Sequence, residues 1–298
     1  MKIAFLMSVY ADPQQANFFI EQLLKYSGSE VFVHCDAKRD DLVIHILESD
    51  RVHILPYRMD VRWGDYTQTE VILYLLRYAL SKHQFDYLSV HSGNDLAIKP
   101  IDEFAAFLNH DRKWAYLEAT ALPKPGWQYR GGLGRIALKW PQFFRRRLPR
   151  RSPVRYARSL YGKLYGAHLI PGRRLPAHIQ FYGGSYWFTL SSQCAEELLR
   201  YVDGSPSFHE FFRESLIGCE IFFNTAVMAS KPVGAEISQY DNLRYEDWEN
   251  LDPRFPGSPR TFGIADLRSI IESDKFFARK FSQKIDRDVV SEIVGRIA

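Results

Sequence analysis

The first third of the chain alternates short apolar runs with longer stretches of helical spacing. Residues 2–9 (KIAFLMSV) are almost continuously apolar, as in a parallel strand buried on both faces. Residues 13–26 carry apolar side chains at helical intervals, behind Asp12 as an N-cap and Pro13 at the first helical position. Residues 30–34 (EVFVH) predict a second strand, 52–55 a third, 67–81 a long amphipathic helix and 87–91 (YLSVH) another strand. Alternating β and α units of this kind predict an α/β fold with a mostly parallel central sheet flanked by helices. Ligands of such sheets bind outside the carboxyl ends of the strands. Polar clusters follow two of the predicted strand ends, at residues 35–38 and 92–95.

The pattern then changes. Residues 143–174 are dense in Arg, Lys, Tyr and Pro, and predict an exposed, partly helical basic insertion. Residues 180–190 (QFYGGSYWFTL) read as a strand-like block, 192–202 and 219–230 as helices. Residues 241–262 are rich in Pro and aromatics, and two helices close the chain. The expected organisation is one catalytic domain over 1–298, with a nucleotide-binding half at 1–115 and an acceptor and catalytic half at 116–298.

Composition narrows the class. With 298 residues, 46% apolar and 25% charged, the chain has the balance of an ordinary globular protein with a sizeable core. Cys35, Cys194 and Cys219 are odd in number and unpaired in spacing, which argues against a disulfide framework or a structural zinc site and for a reducing compartment. The apolar run at residues 1–9 stops too soon for a signal sequence, and no run approaches the ~20 residues a membrane span needs. The net charge of +4 is low for a nucleic-acid-binding protein and no nucleic-acid module is present, so no nucleic-acid partner is expected.

Five short blocks carry candidate chemistry. Asp36, just past a buried strand, can accept from a base or ribose, with Lys38 beside it for phosphate; the same carboxylate also serves as a plain turn or helix cap. In Ser92-Gly93-Asn94-Asp95, Gly93 permits close backbone approach and Asp95 can hold a sugar hydroxyl. There is no D-x-D pair here, and a lone carboxylate is a poor site for Mn²⁺ or Mg²⁺. Gly183-Gly184-Ser185-Tyr186-Trp187-Phe188 joins a tight backbone approach to a ring-stacking surface, or is a bulged core strand. Glu220 opens an apolar helical run, where a carboxylate is either a dipole partner or a general base. Arg279-Lys280 sits among phenylalanines and can neutralise a leaving diphosphate, or be two snorkelling cations on a terminal helix.

In this order the blocks VHCDAK, RWGDYTQTEVILYLLRYAL, SGNDLAIKP, GGSYWFTL, CEIFFNTAV, LRYEDW, SPRTF and FFARKF are specific. The chain resembles the core-2/I-branching β-1,6-N-acetylglucosaminyltransferase family, which includes the peptide O-xylosyltransferases. The resemblance runs from Ile3 to about Phe281, with the basic insertion outside it. It implies a GT-A-like fold, a UDP-sugar donor, inversion at the anomeric carbon and no metal or other cofactor. Carried over by position, it makes Glu220 the catalytic base, Asp36 a uridine contact and Arg279 and Lys280 the diphosphate pair. It places Val9, Trp63, Gly64, Ser92, Asp95, Arg244 and Arg260 with the donor, and Tyr186, Trp187 and Trp248 with the acceptor.

Two departures shape the expectation. The xylosyltransferases carry Asp where Tyr186 stands, which argues against xylosyl transfer to serine. The animal enzymes have a membrane anchor and several disulfides that this sequence lacks, so a bacterial cytoplasmic relative is expected. Transfer of N-acetylglucosamine to a glycan or lipid-linked oligosaccharide in surface polysaccharide synthesis follows, with Arg145 to Arg158 touching the inner face of the cell membrane. The competing expectation is a sugar-nucleotide-binding or nucleic-acid-binding protein without catalysis.

Overall fold

The computed structural model describes residues 1–250 and 258–297; residues 251–257, within the aromatic and proline-rich stretch, lie outside the described residues. The first third folds as its pattern predicts. β1 (Ile3–Val9), α1 (Pro13–Leu24), β2 (Ser29–Cys35), β3 (Val52–Ile54), α2 (Thr67–Lys82) and β4 (Tyr87–Ser92) follow one another. Asp12 caps α1, its carboxylate accepting from the Gln15 N–H at 3.2 Å. Then come β5 (Asp95–Ala97), α3 (Ile101–Asp111), β6 (Ala115–Tyr116), β7 (Thr120–Ala121), α4 (Pro153–Gly166), β8 (Tyr182–Gly183), β9 (Thr189–Ser191) and α5 (Ser192–Asp203). The chain closes with α6 (Cys219–Ser230), β10 (Ile237–Ser238), β11 (Arg244–Glu246), β12 (Phe277–Arg279) and α7 (Arg287–Arg296).

Among the described residues the central sheet has seven strands in the order β10-β6-β9-β4-β1-β2-β3. β1 pairs in parallel with β2 and β4, and β2 with β3; only β9 runs against its neighbours β4 and β6. This is the predicted α/β arrangement, with a mostly parallel central sheet flanked by helices. Strand alternation sorts two cores, one on each face. Phe32 of β2 packs with Leu75 of α2 and Phe222 of α6, while Val31 and Val33 pack with Phe19 of α1 and Val289 of α7. The division drawn at 115 and 116 falls inside β6, and β6, β9 and β10 complete the sheet that the first third begins.

Three local expectations are corrected. Residues 180–190 form two short strands in different sheets: β8 pairs with β7, while β9 joins the central sheet. The run around Arg279-Lys280 is a strand rather than a terminal helix, in a small sheet ordered β11-β12-β5. The stretch 143–174 is only in part an exposed insertion. Trp140, Phe144, Tyr165 and Leu216 close a third core beside α4. Arg145 pairs with Asp65 at 2.8 Å, and Arg158 donates to the Phe144 and Arg146 carbonyls, each at 3.0 Å. Arg150, Arg151, Tyr156 and Leu160 remain solvent-exposed.

Candidate active site

A pocket of about 700 Å³ opens where β1, β2 and β4 end, with Ser8, Asp36 and Ser92 in its wall. That is where a parallel sheet leaves free backbone ends for a ligand. Its volume suits a nucleotide-sized molecule. Among the described residues, seven cationic side chains line it (Lys38, Arg62, Lys124, Arg146, Arg147, Arg279 and Lys280) against four carboxylates, Asp36, Glu118, Glu220 and Glu246. The surplus of positive charge favours an anionic ligand.

At one end, Lys38 Nζ is fixed by Asp36 Oδ2 at 2.7 Å, Asp60 Oδ1 at 2.9 Å and the Val61 carbonyl at 2.6 Å. Trp63 lines the wall beside them. Gly64 is not part of the pocket wall; at a φ of 79°, open only to glycine without strain, it ties two segments together. Its N–H donates to Gln68 Oε1 at 2.5 Å and its carbonyl accepts from the Ile217 N–H at 2.9 Å. Ile217 itself sits at φ 52°, a strained conformation for a β-branched residue, immediately before the helix that carries Glu220.

The small sheet builds the cationic end. Its register sets Arg279 opposite Asp95 on one side and Glu246 on the other. Arg279 Nε lies 3.4 Å from Asp95 and 3.7 Å from Glu246, and its guanidinium lies over the Trp187 ring at 4.1 Å. Arg244 Nε approaches Asp95 at 3.2 Å. Burial pushes the Asp95 carboxyl up, but the charges of Arg279 and Arg244 outweigh burial and hold it well below the usual carboxylate range. Burial, followed by the charge of Arg244, pushes His91 down to about 4, so it is neutral. Arg244 Nη2 can only donate to His91 Nδ1, at 2.8 Å; the ring proton is therefore on Nε2, directed at Ser89 Oγ at 2.8 Å. Lys280 lines the pocket with its ammonium pushed down to about 7 by burial and by the charges of Arg279 and Arg147.

Glu220, in the first turn of α6, stands in the same pocket. Its Oε2 accepts from Arg135 Nη1 at 2.6 Å, and the Arg135 guanidinium lies 3.8 Å over the Trp127 ring. Gly184 locks this wall. A Cβ on Gly184 would meet the Glu118 carbonyl oxygen at 1.9 Å, and its N–H donates to the Glu220 carbonyl at 3.0 Å. Burial and the charge of Glu246 raise the Glu118 carboxyl above its ordinary range. Tyr186 accepts from Gln68 Nε2 at 3.2 Å, and its ring packs on Trp187 at 4.3 Å. Trp248 stands half-exposed at the rim, its Nε1 donating to Glu246 at 2.8 Å.

Of the residues the sequence singles out, Glu220, Asp36, Trp63, Ser92, Arg279, Lys280, Tyr186, Trp187 and Trp248 are brought together in one wall. Val9 and Asp95 are wholly enclosed and do not face it, because Val9 packs in the core and Asp95 is spent on two guanidiniums. Arg244 is likewise buried behind Asp95. Arg260 turns instead to Asp266 at 3.0 Å and Asp247 at 3.7 Å. Sequence reasoning missed Glu118, Lys124, Trp127, Arg135, Arg147 and Glu246. Glu118 carried a signal, as a lone carboxylate in the apolar run 114–122.

The family model of the core-2/I-branching enzymes matches residues 3–272, through the basic stretch that the sequence resemblance left out. The chain belongs to this family, and so to the glycosyltransferases. Xylosyltransferase 1 of Homo sapiens is 21% identical over 314 residues, covering 98% of this chain and 30% of that protein. Xylosyltransferase 2 of Homo sapiens is 23% identical over 313 residues, covering 97% of this chain and 33% of that protein. The chain thus spans about a third of the length of the curated relatives it matches. Among solved structures, the S. aureus TarS fragment 1-349 is similar at a TM-score of 0.33 and 12% identity, over 66% of this chain and 49% of that one.

Proposed function

We propose that the protein moves one sugar, N-acetylglucosamine before other donors, from a UDP-sugar to a hydroxyl of a glycan or lipid-linked oligosaccharide, with inversion and without a metal ion. Surface polysaccharide synthesis is the process this would serve. The observation that carries the reading is the placement of Glu220 and the Arg279-Lys280 pair in the wall of one pocket, with Asp36 at its strand end. The acceptor oxygen attacks the anomeric carbon as the bond to the diphosphate breaks, and the bonding electrons leave with UDP. Glu220 takes the acceptor's proton on Oε1, since Arg135 engages Oε2. Arg279 and Lys280 receive the charge that grows on the leaving group, the part a divalent cation plays elsewhere.

Among the described residues no helix is long and apolar enough to cross a membrane. The proposed membrane contact is peripheral, through Arg150, Arg151 and Arg155 with Tyr156 and Leu160 beside them. Calorimetry of UDP and UDP-sugars in the presence of EDTA tests the donor site. Saturable binding that Lys280→Ala weakens is the expected result; binding that appears only with added Mn²⁺ would refute the metal-free site.

A further inference from the structure

Outside the pocket, the described residues hold one cluster with metal-ligand chemistry. Glu30, His53 and His83 bring three ligand atoms within 4.8 Å of one another. The cluster lies near the start of β2, whereas Asp36 follows its end; at ~3.3 Å per residue the two are about 20 Å apart along the strand. Each ligand comes from a different element. Glu30 is on β2, His53 on the edge strand β3, and His83 is the residue that ends α2.

The sequence pattern puts them on one face. Glu30 and Phe32 are two apart on β2, and Phe32 registers across from His53. Phe32 stacks on the His53 ring at 4.7 Å and 25°, which fixes the plane of the imidazole. Phe32 also packs in the core that α2 covers, so the end of that helix brings His83 down beside the edge strand.

The distances fit a small divalent ion. His53 Nε2 lies 2.9 Å and His83 Nε2 3.7 Å from the same oxygen, Glu30 Oε2. Two atoms bound to one Zn²⁺ at ~2.0–2.1 Å in a tetrahedron stand about 3.3 Å apart. The two observed separations bracket that value. Side-chain exposures of 18% for Glu30, 23% for His53 and 50% for His83 leave the site reachable from solvent. A pair of imidazoles selects zinc-like ions over Mg²⁺ and Ca²⁺.

We propose that Glu30, His53 and His83 bind one Zn²⁺-like ion that clasps the edge strand β3 to β2 and to the end of α2, with water in the fourth position. The clasp is independent of sugar transfer and stands whether or not the proposed reaction does.

Zinc titration of the chelator-treated full chain by calorimetry tests the proposal, with heat stability measured alongside. One equivalent is expected to bind and to raise the melting temperature. His83→Ala, at a half-exposed position, and His53→Ala should each weaken binding by more than the ~10–100-fold that loss of an outer-shell partner costs. Cobalt(II) should show the visible band of a four-coordinate site in the wild type and lose it in both variants. Absence of saturable Zn²⁺ binding by the wild type, or affinity unchanged in both variants, would overturn the proposal.

Discussion

Asp95 and Arg279 stand opposite each other in the antiparallel register of β5 and β12, Nε to Oδ1 3.4 Å apart, and Arg244 meets the other carboxylate oxygen at 3.2 Å. One enclosed carboxylate therefore meets two buried guanidiniums, with Glu246 a further carboxylate 3.7 Å from Arg279. Removing one partner of such a buried ionic group costs ~3–5 kcal/mol, because the remaining charges are left uncompensated. Asp95→Asn is expected to lower the free energy of unfolding by an amount in that range and to weaken UDP binding through a displaced Arg279. Unchanged stability in chemical denaturation would show that the three groups are not coupled.

Glu220→Gln keeps the shape of the wall and removes the base. Turnover should fall by ~10²–10⁴-fold, the usual contribution of a positioned general base. Donor affinity, measured by the UDP-induced thermal shift, should stay as in the wild type. Turnover near the wild-type rate would remove Glu220 from the role.

Lys280 supplies a pH signature. Its ammonium is pushed down to about 7, so it is charged below that pH and neutral above it. A bound diphosphate favours the charged form. Apparent UDP affinity should therefore be fully supported by Lys280 below about 7 and lose that support as pH rises through it. Lys280→Arg remains charged throughout, so it should show a flatter profile than the wild type. Identical profiles for the two proteins would place the titration elsewhere.

Gly184→Ala inserts a Cβ at 1.9 Å from the Glu118 carbonyl oxygen, a backbone atom that cannot swing away. Overpacking of this kind costs ~1–3 kcal/mol. Because the Gly184 N–H also donates to the Glu220 carbonyl, activity should fall further than stability alone explains. The comparison is of kcat at a temperature where both proteins are fully folded.

Charge reversal of Arg150 and Arg151 tests the peripheral membrane contact. Each exposed cation near an anionic surface contributes about 1 kcal/mol, so each neutralisation should weaken vesicle binding about fivefold and reversal more. Undiminished sedimentation with anionic vesicles would refute the contact.

The parallel core of the fold was legible because its strands are buried on both faces and read as near-continuous apolar runs, as in residues 3–7 and 31–33. The site was legible where short motifs sit at strand or helix ends, as at Asp36 and Glu220. Asp95 and Arg244 were misplaced because a motif fixes residue type, whereas the β5–β12 pairing decides which charges face each other. Arg135 went unseen because it meets Glu220 only across 85 residues of chain. The basic stretch misled because a run of arginines reads as solvated, while Arg145 is taken up by Asp65 and Arg158 by two carbonyls.

The most direct test of sugar transfer is release of UDP from a panel of UDP-sugars with EDTA present, read as slow hydrolysis into water and again with added glycan acceptors. Release from one donor, UDP-N-acetylglucosamine, that is quickened by an acceptor and largely lost in Glu220→Gln is the predicted result. No release from any UDP-sugar with EDTA, and its appearance only on adding Mn²⁺, would contradict a metal-independent transferase.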